Sequence, residues 1–349
     1  MEFTRNAQLL FQSARICADP RYAGENPKRK MAEIDIRGIA AQDTSIPQPE
    51  TTRAERINWT AATGVVTVHL LALLALDPWF FSWTGVALVF IGNYIFCSIG
   101  IGAGYHRCLT HKSFRCSKTF EHFLALLGLC SLQDSPLRWV AVHRAHHVHA
   151  DDQPDPHSPL VTLFWGHMGW VLTENTQFNR IANYEKFVRD LLQDKFYRAL
   201  ERNGLWAWVY VIHAALFYVA GFAAGWLWTG QVADAIQFGL SVLVWGVFVR
   251  TVYTWHITWG VNSIAHRWGY RNYATGENSR NNWIIGLATN GEGWHNNHHG
   301  QPRSAAHGFH RWWELDITYL TILLWKRMGL VWNVIPPRER TRTSKIRPV

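Results

Sequence analysis

The sequence predicts an all-α integral membrane protein, with four spanning helices in two hairpins and a histidine-rich metal site at the cytoplasmic boundary. Three observations carry that expectation. Apolar runs long enough to cross a bilayer alternate with polar stretches holding nearly all the charge. The turns inside each pair of runs lack Lys and Arg, whereas the other ends are flanked by them. The spacing of His143-Arg144-Ala145-His146-His147 returns in His295-Asn296-Asn297-His298-His299. On a helix, residues three and four apart share a face, so each triplet aims three imidazoles one way. Two copies of that spacing leave scattered surface histidines as a poor explanation.

The chain in order supplies the elements. Residues 1–57 are polar, mixed in charge and broken by Pro20, Pro27, Pro47 and Pro49, as expected of a disordered cytosolic tail. A membrane domain follows over 58–335. Its first spans, about 58–76 and 82–103, are joined by the tight turn Asp77-Pro78-Trp79 and so form an antiparallel hairpin. Arg53, Arg56, Arg107 and Lys112 flank the outer ends, which places those ends in the cytoplasm. Residues 123–132 are apolar but too short to cross, so a buried or interfacial segment is expected. The apolar stretch Leu160 to Leu172 either lies on the membrane surface or covers the site. A second hairpin, 205–228 and 235–258, turns at Thr229-Gly230-Gln231 with the same orientation. Arg250 lies inside the last run near its cytoplasmic end, where it would snorkel or pair. Residues 104–204 and 259–335 are then cytosolic, and 336–349 form a basic tail.

Composition narrows the partners. Net charge is +9, but no nucleic-acid module is present and the positive charge clusters beside apolar runs, which fits an anionic membrane surface. The five cysteines are odd in number and form no C-x-x-C pair, arguing for a reduced compartment without a disulfide framework. Residues 1–20 lack the continuous apolar core of a cleavable signal peptide.

Two further histidine positions join the triplets. His106 and His111 follow the first hairpin, and His266 follows the second, four residues after Asn262. Residues five apart differ by about 140° around an α-helix. His106 and His111 therefore cannot face one ion unless the helix ends between them, or unless they serve two. The set is His106, His111, His143, His146, His147, His266, His295, His298 and His299. Two tetrahedral zincs would use eight nitrogens and leave no open position. Nine nitrogens fit two six-coordinate ions better, with iron favoured over zinc and manganese. Asp134, Asp155 and Glu292 are candidates to accept the second ring N–H of a ligand histidine, against the alternative of solvated loop charges. The other nine histidines (His69, His122, His149, His157, His167, His213, His256, His307, His310) are isolated or lack a partner at metal spacing. Among these, His149 and His157 follow the first triplet closely.

At this point the chain resembles the membrane-bound fatty acid desaturases, in the Δ9 acyl-CoA/acyl-lipid (stearoyl-CoA desaturase-like) branch, over about residues 59–335. The landmarks are Gly104-Tyr105-His106 through His111-Lys112-Ser113-Phe114, then Trp139 to His147 with Asp155-Pro156-His157. Asn262-Ser263-Ile264-Ala265-His266 and Gly291-Glu292-Gly293-Trp294-His295 through His299 complete them. The resemblance implies four transmembrane helices under a cytosolic catalytic cap and a di-iron (Fe2+) centre bound by all nine histidines, with Asn262 acting through a water. It also implies O2-dependent insertion of a cis double bond into a saturated acyl chain. An unactivated methylene offers no acid or base handle, so a metal-bound oxidant must do that chemistry. The protein's task is then to hold the target carbons in an apolar tunnel. Trp139, Trp165, Trp170, Trp255 and Trp259 are tunnel candidates or interfacial anchors. One departure stands out: animal-type acyl-CoA desaturases carry Arg-Asp before the H-R-A-H-H box, and this chain has Ala141-Val142. The Trp139–His143 run is more similar to bacterial and cyanobacterial members, and an inner-membrane location follows. The acyl carrier, CoA or lipid, stays open.

Two other functions are compatible with such a site. A related di-iron hydroxylase would share the oxidant. A metal transporter would need paired ligands near the midplane, where only His69 and His213 lie well inside the spans. No dinucleotide fingerprint and no haem-binding H-P-G-G motif is present. Gly100-Ile101-Gly102-Ala103-Gly104 ends a membrane helix and lacks a βαβ context. Electrons are therefore expected from a separate donor, a ferredoxin or cytochrome b5-like protein with its reductase.

Overall fold

Helices dominate residues 45–338, the part of the chain described by this computed structural model. The principal ones, in chain order, are α1 (Trp59–Leu76), α2 (Trp83–Thr110), α3 (Lys118–Leu129), α4 (Pro136–His149), α5 (Ile181–Leu192), α6 (Lys195–Thr229), α7 (Val232–His266), α8 (Trp283–Ala288), α9 (His295–Gly300) and α10 (Ile317–Arg327), and a short helical stretch covers 165–172. Short polar residues start many of them. The side chains of Asn58, Ser82, Ser117, Ser135, Asn282 and Asp316 each accept a first-turn backbone N–H, satisfying a donor that helix geometry orphans.

Four helices, α1, α2, α6 and α7, are long and apolar enough to cross a membrane. Their outward faces are apolar where a water-exposed helix would be polar: Val66, Leu70 and Leu73 on α1, and Trp208, Ile212, Leu216 and Val219 on α6, are exposed. α6 and α7 come together closely, Gly221 against Gly239 and Gly225 against Ala235.

The sequence placed the ends of the second and fourth spans at 103 and 258, and both helices run on, to Thr110 and His266. Hydropathy marks where a helix leaves the lipid, not where its backbone hydrogen bonding stops. The extra turns deliver His106 and His266. The tail expected to be disordered through residue 57 is ordered at its end. There β1 (Thr52–Ile57) pairs antiparallel with β3 (Thr173–Asn175), and a second small pair joins β2 (Arg115–Cys116) to β4 (Val331–Trp332). Residues 1–44 and 339–349, most of the two expected tails, lie outside the described residues.

The short apolar segment is α3, which lies against α2 at backbone contact. A Cβ on Gly100 would sit 2.4 Å from the Gly128 nitrogen, and one on Gly128 would sit 2.5 Å from the Tyr105 ring. Overfilling such a contact costs about 1–3 kcal/mol. Arg250 does not snorkel, and it pairs with no carboxylate among the described residues. It is fully buried, donates to the carbonyls of Gly246 and Cys130 at 3.0 Å each, and lies over the Phe96 ring. It thus supplies a cation and donors to the C-terminal end of α3, where carbonyls lack helical partners. The Trp255 indole N–H reaches Ser131 and Leu132 just beyond. From there the chain turns directly into α4. A core of Tyr105, Leu109, Leu137, Val140, Tyr184, Val188 and Tyr197 fastens α4 to α2, α5 and α6.

Candidate metal centre

Four regions converge: the end of α2 with His106 and His111, α4 with His143, His146 and His147, the end of α7 with His266, and α9 with His295, His298 and His299. All nine histidines counted from the sequence gather here, in two sets. One ring nitrogen from each of His106, His111, His143, His147 and His298 lies within 4.8 Å of the others, and the same holds for His146, His266, His295 and His299.

This grouping differs from the sequence expectation in two ways. Each triplet is split between the sets: the i and i+4 imidazoles of α4 join the first, and its i+3 imidazole joins the second. The five-residue spacing of His106 and His111 is also no obstacle. Residues Asn93–Thr110 are wound as a π-helix, and the His111 N–H reaches the His106 carbonyl at 3.1 Å. With i→i+5 bonding, residues five apart lie about one turn apart and share a face.

Ring contacts define the donor atoms. In the first set, Nε2–Nε2 distances are 3.1 Å for His106–His298, 3.2 Å for His111–His143, 3.1 Å for His143–His147 and 2.8 Å for His147–His298. In the second they are 3.0 Å for His266–His295 and 3.1 Å for His295–His299, and the buried His146 Nε2 has no hydrogen-bond partner among the described residues. Carboxylates hold the opposite nitrogens of three of these rings. Glu292 lies 2.5 Å from His106 Nδ1, Asp155 3.0 Å from His146 Nδ1, and Asp151 2.9 Å from His266 Nδ1. An Nδ1–H donated to a carboxylate leaves a lone pair on Nε2. Lone pairs crowded at 3 Å repel unless a cation lies among them. The donor set therefore fits two metal ions, with the tautomer of His106 in the first set and of His146 and His266 in the second fixed from behind.

Protonation of six of the nine histidines points the same way. Burial, then the neighbouring imidazoles, pushes His111, His143, His147, His295, His298 and His299 well below the ordinary histidine range, so the rings are neutral at neutral pH. Asp155 and Glu292 stay ionised although burial opposes it, because His146 stabilises the first, and Arg107 with His106 the second.

Of the three carboxylates proposed from sequence, Asp155 and Glu292 reach the histidines and Asp134 does not. Asp134 is occupied locally, accepting the Ser135 N–H and pairing with Arg138 at 3.3 Å. Asp151 and Glu277, which lies 3.6 Å from His299 Nδ1, were missed. Asp151 had one readable signal, the acidic run following the first triplet. Glu277 had none. Arg107 was also missed as a site residue. Fully buried, it donates to Glu292 at 2.8 Å, Asp316 at 3.1 Å and the Ala305 carbonyl at 2.6 Å.

Several histidines taken as isolated are not. His307 is buried beside His298, and His157 beside His146. His69, His256 and His167 form one hydrogen-bonded chain, at 3.1 and 3.0 Å, that ends on the Ser263 hydroxyl at 2.9 Å. Asn262 is half-buried one residue before Ser263. Among the tryptophans, Trp139 stacks on His143 and Trp170 lies against His157, whereas Trp255 and Trp259 stack on each other in an apolar cluster between α1 and α7. Trp165 is buried. A cavity of about 830 Å³ opens from the site to solvent, lined by His111, His147 and His299 and by Lys112, Lys186 and Arg303.

The family model for fatty acid desaturases matches residues 81–321. The sn-2 palmitoyl-lipid 9-desaturase of Nostoc sp. (strain 36) is 38% identical over 84% of this chain and 96% of its own length. The sn-1 stearoyl-lipid 9-desaturase of Anabaena variabilis is 37% identical over 81% and 96%. The acyl-CoA C20 Δ5-desaturase of Anemone leveillei is 36% identical over 88% and 97%. The chain belongs to the fatty acid desaturase family. It is an oxidoreductase that desaturates fatty acyl chains.

Proposed function

We propose that this chain is an O2-dependent acyl-lipid desaturase that places a cis double bond at Δ9 of a saturated acyl chain, using two Fe2+ ions, one in each nitrogen set. The observation that carries this reading is the pair of converging Nε2 sets, with Nδ1 partners on His106, His146 and His266 supplied by carboxylates. When bound, the metal pair supplies the oxidant that takes hydrogen from an unactivated methylene. The chain's own residues do the rest. Glu292, Asp155 and Asp151 fix ring tautomers, and Arg107 holds Glu292 in place. Asn262 acts on the second ion through a water. Trp139, packed on His143 and 6.0 Å from His106 between ring centroids, forms a rigid wall where the reacting carbons would lie.

The lipid carrier is favoured over CoA on two grounds. The two cyanobacterial relatives are named for lipid-linked substrates. Ala141 and Val142, where animal acyl-CoA enzymes have Arg-Asp, are both buried and offer no charge. The spans form two hairpins with both outer ends cytosolic, so the metal centre sits in a cytosolic cap over a bacterial inner membrane. Each turnover consumes two electrons from an external ferredoxin or cytochrome b5-like donor. The Lys112, Lys186 and Arg303 rim of the solvent cavity suits an acidic carrier, since His111, His147 and His299 line the same cavity. The test is expression in a host lacking desaturases, followed by fatty acid and lipid-class profiling. A Δ9 monoene on glycerolipid is expected. A hydroxylated product, or an acyl-CoA product formed without lipid, would overturn the reading.

A further inference from the structure

We propose that Cys116 and Cys108 are a peroxide-sensitive thiol pair whose disulfide switches off the metal centre. Their sulfurs lie 3.9 Å apart. A disulfide needs about 2.05 Å, so closing the bond requires side-chain rotation and a shift of about 2 Å. Nothing in the metal chemistry uses either residue.

Access and reactivity are unequally divided between the two, as a sensing pair requires. Cys116 is partly exposed and Cys108 is buried. Both line a second cavity of about 350 Å³, with Lys112, Arg115, Glu121 and Arg303 around it. The hydrogen bond with Cys108, aided by Lys118 and Lys112, pulls the Cys116 thiol below its ordinary value against the effects of burial and of Glu121. Cys130 provides a contrast: burial raises its thiol to about 11. A partly exposed cysteine with a lowered thiol pKa, 3.9 Å from a second thiol, is the arrangement that peroxide oxidises selectively.

The position of the pair gives it a target. Lys112 and Arg303 line this cavity and also the larger one at the metal centre, so the two spaces adjoin. Peroxide is what an O2-reducing centre releases when it is reduced without substrate in place. This source rests on the function proposed above, whereas the chemistry of the pair does not. The Cys116 thiolate attacks one peroxide oxygen and releases hydroxide, giving a sulfenic acid. The Cys108 thiol then displaces that hydroxyl as water, so two thiols are oxidised and one peroxide is reduced. Cys108 lies in the π-wound turn between His106 and His111, while Cys116 is held in β2 by its pairing with β4. Bridging them draws the turn towards the strand and misplaces both imidazoles of the first nitrogen set.

The full-length protein in detergent, treated with hydrogen peroxide, tests this without any need for turnover. Non-reducing peptide mapping should give a Cys108–Cys116 linked peptide, lighter by two hydrogens than the separate peptides, which dithiothreitol removes. Desaturase activity and iron content should fall with its appearance and recover on reduction with added Fe2+. Cys116→Ser should form no linked peptide and resist the loss, while Cys17→Ser should behave as the parent. Mapping the unsubstituted chain gives an answer even if a variant folds poorly. If both thiols stay free for alkylation after peroxide treatment, or Cys116→Ser loses activity as fast as the parent, the switch does not exist. If the linked peptide forms in a chain that desaturates nothing, the thiol pair stands and the proposed function fails.

Discussion

Replacing Glu292 by Gln changes one atom and should remove one metal ion. Glu292 now accepts twice, from Arg107 at 2.8 Å through Oε1 and from His106 Nδ1 at 2.5 Å through Oε2. An amide accepts on one side only and presents N–H on the other. Arg107 cannot give up a proton, so it retains the amide oxygen. The amide N–H then faces His106 Nδ1, which must become an acceptor, and its proton moves to Nε2. That nitrogen, 3.1 Å from His298 Nε2, is the one needed for the metal. Loss of such an outer partner typically lowers metal affinity by about 10–100-fold, or about 1.4–2.7 kcal/mol. Arg107 keeps Asp316, so the fold loses less than the roughly 3–5 kcal/mol of an unpaired buried charge. Asp151→Asn is the complementary change, acting through His266 in the second set. The assay is iron retained against a graded chelator, with thermal unfolding of the metal-free proteins as control. One iron should become labile in each variant while the other resists chelation. Parent-like retention of both irons in Glu292→Gln would refute the tautomer argument.

His266→Ala should abolish desaturation and release the second iron, Asn262→Ala should impair activity with less metal loss, and His256→Ala should leave the metal in place; iron content and product yield decide. Metal-free protein should become less stable as pH falls. His157 is lowered to about 3 by burial and by His146, and six histidines of the metal centre (His111, His143, His147, His295, His298 and His299) are lowered too, so between those values and about 6.5 the unfolded chain binds more protons at these seven groups. The stabilisation is complete above about pH 6.5 and is lost as pH drops through that value; a Tm rising from pH 7.5 to 5.5 would contradict this. Purified protein with NAD(P)H alone should not turn over, whereas a donor with its reductase should restore activity. Lys186→Glu and Arg303→Glu should raise the donor's apparent KM and leave kcat at saturation unchanged; unaltered donor kinetics would remove the docking role.

The spans and the nine histidines were readable because hydropathy and the i, i+3, i+4 pattern are local properties of the chain. The partition of those histidines was not. Which imidazole of α4 faces which ion depends on where α9 and the end of α7 arrive, and that is a tertiary outcome. The relation of His106 to His111 was misread because a 3.6-residue turn was assumed for a segment that winds with i→i+5 bonds. Asp151, Glu277 and Arg107 were missed for a similar reason. Each lies far in sequence from at least one group it holds, and a charge in a polar stretch looks solvated until the fold buries it. Arg250 shows the same limit: its partner is the carbonyl end of α3, more than a hundred residues away.

The most direct test of the account is elemental analysis of the active protein, purified from iron-supplemented cells and normalised to chain concentration. Two nitrogen sets with one ion in each predict close to two irons per chain, falling towards one in Glu292→Gln and in Asp151→Asn. Inactive protein carrying zinc would leave the account standing, because imidazole sites take up zinc readily. Active protein with stoichiometric zinc and no iron would contradict it.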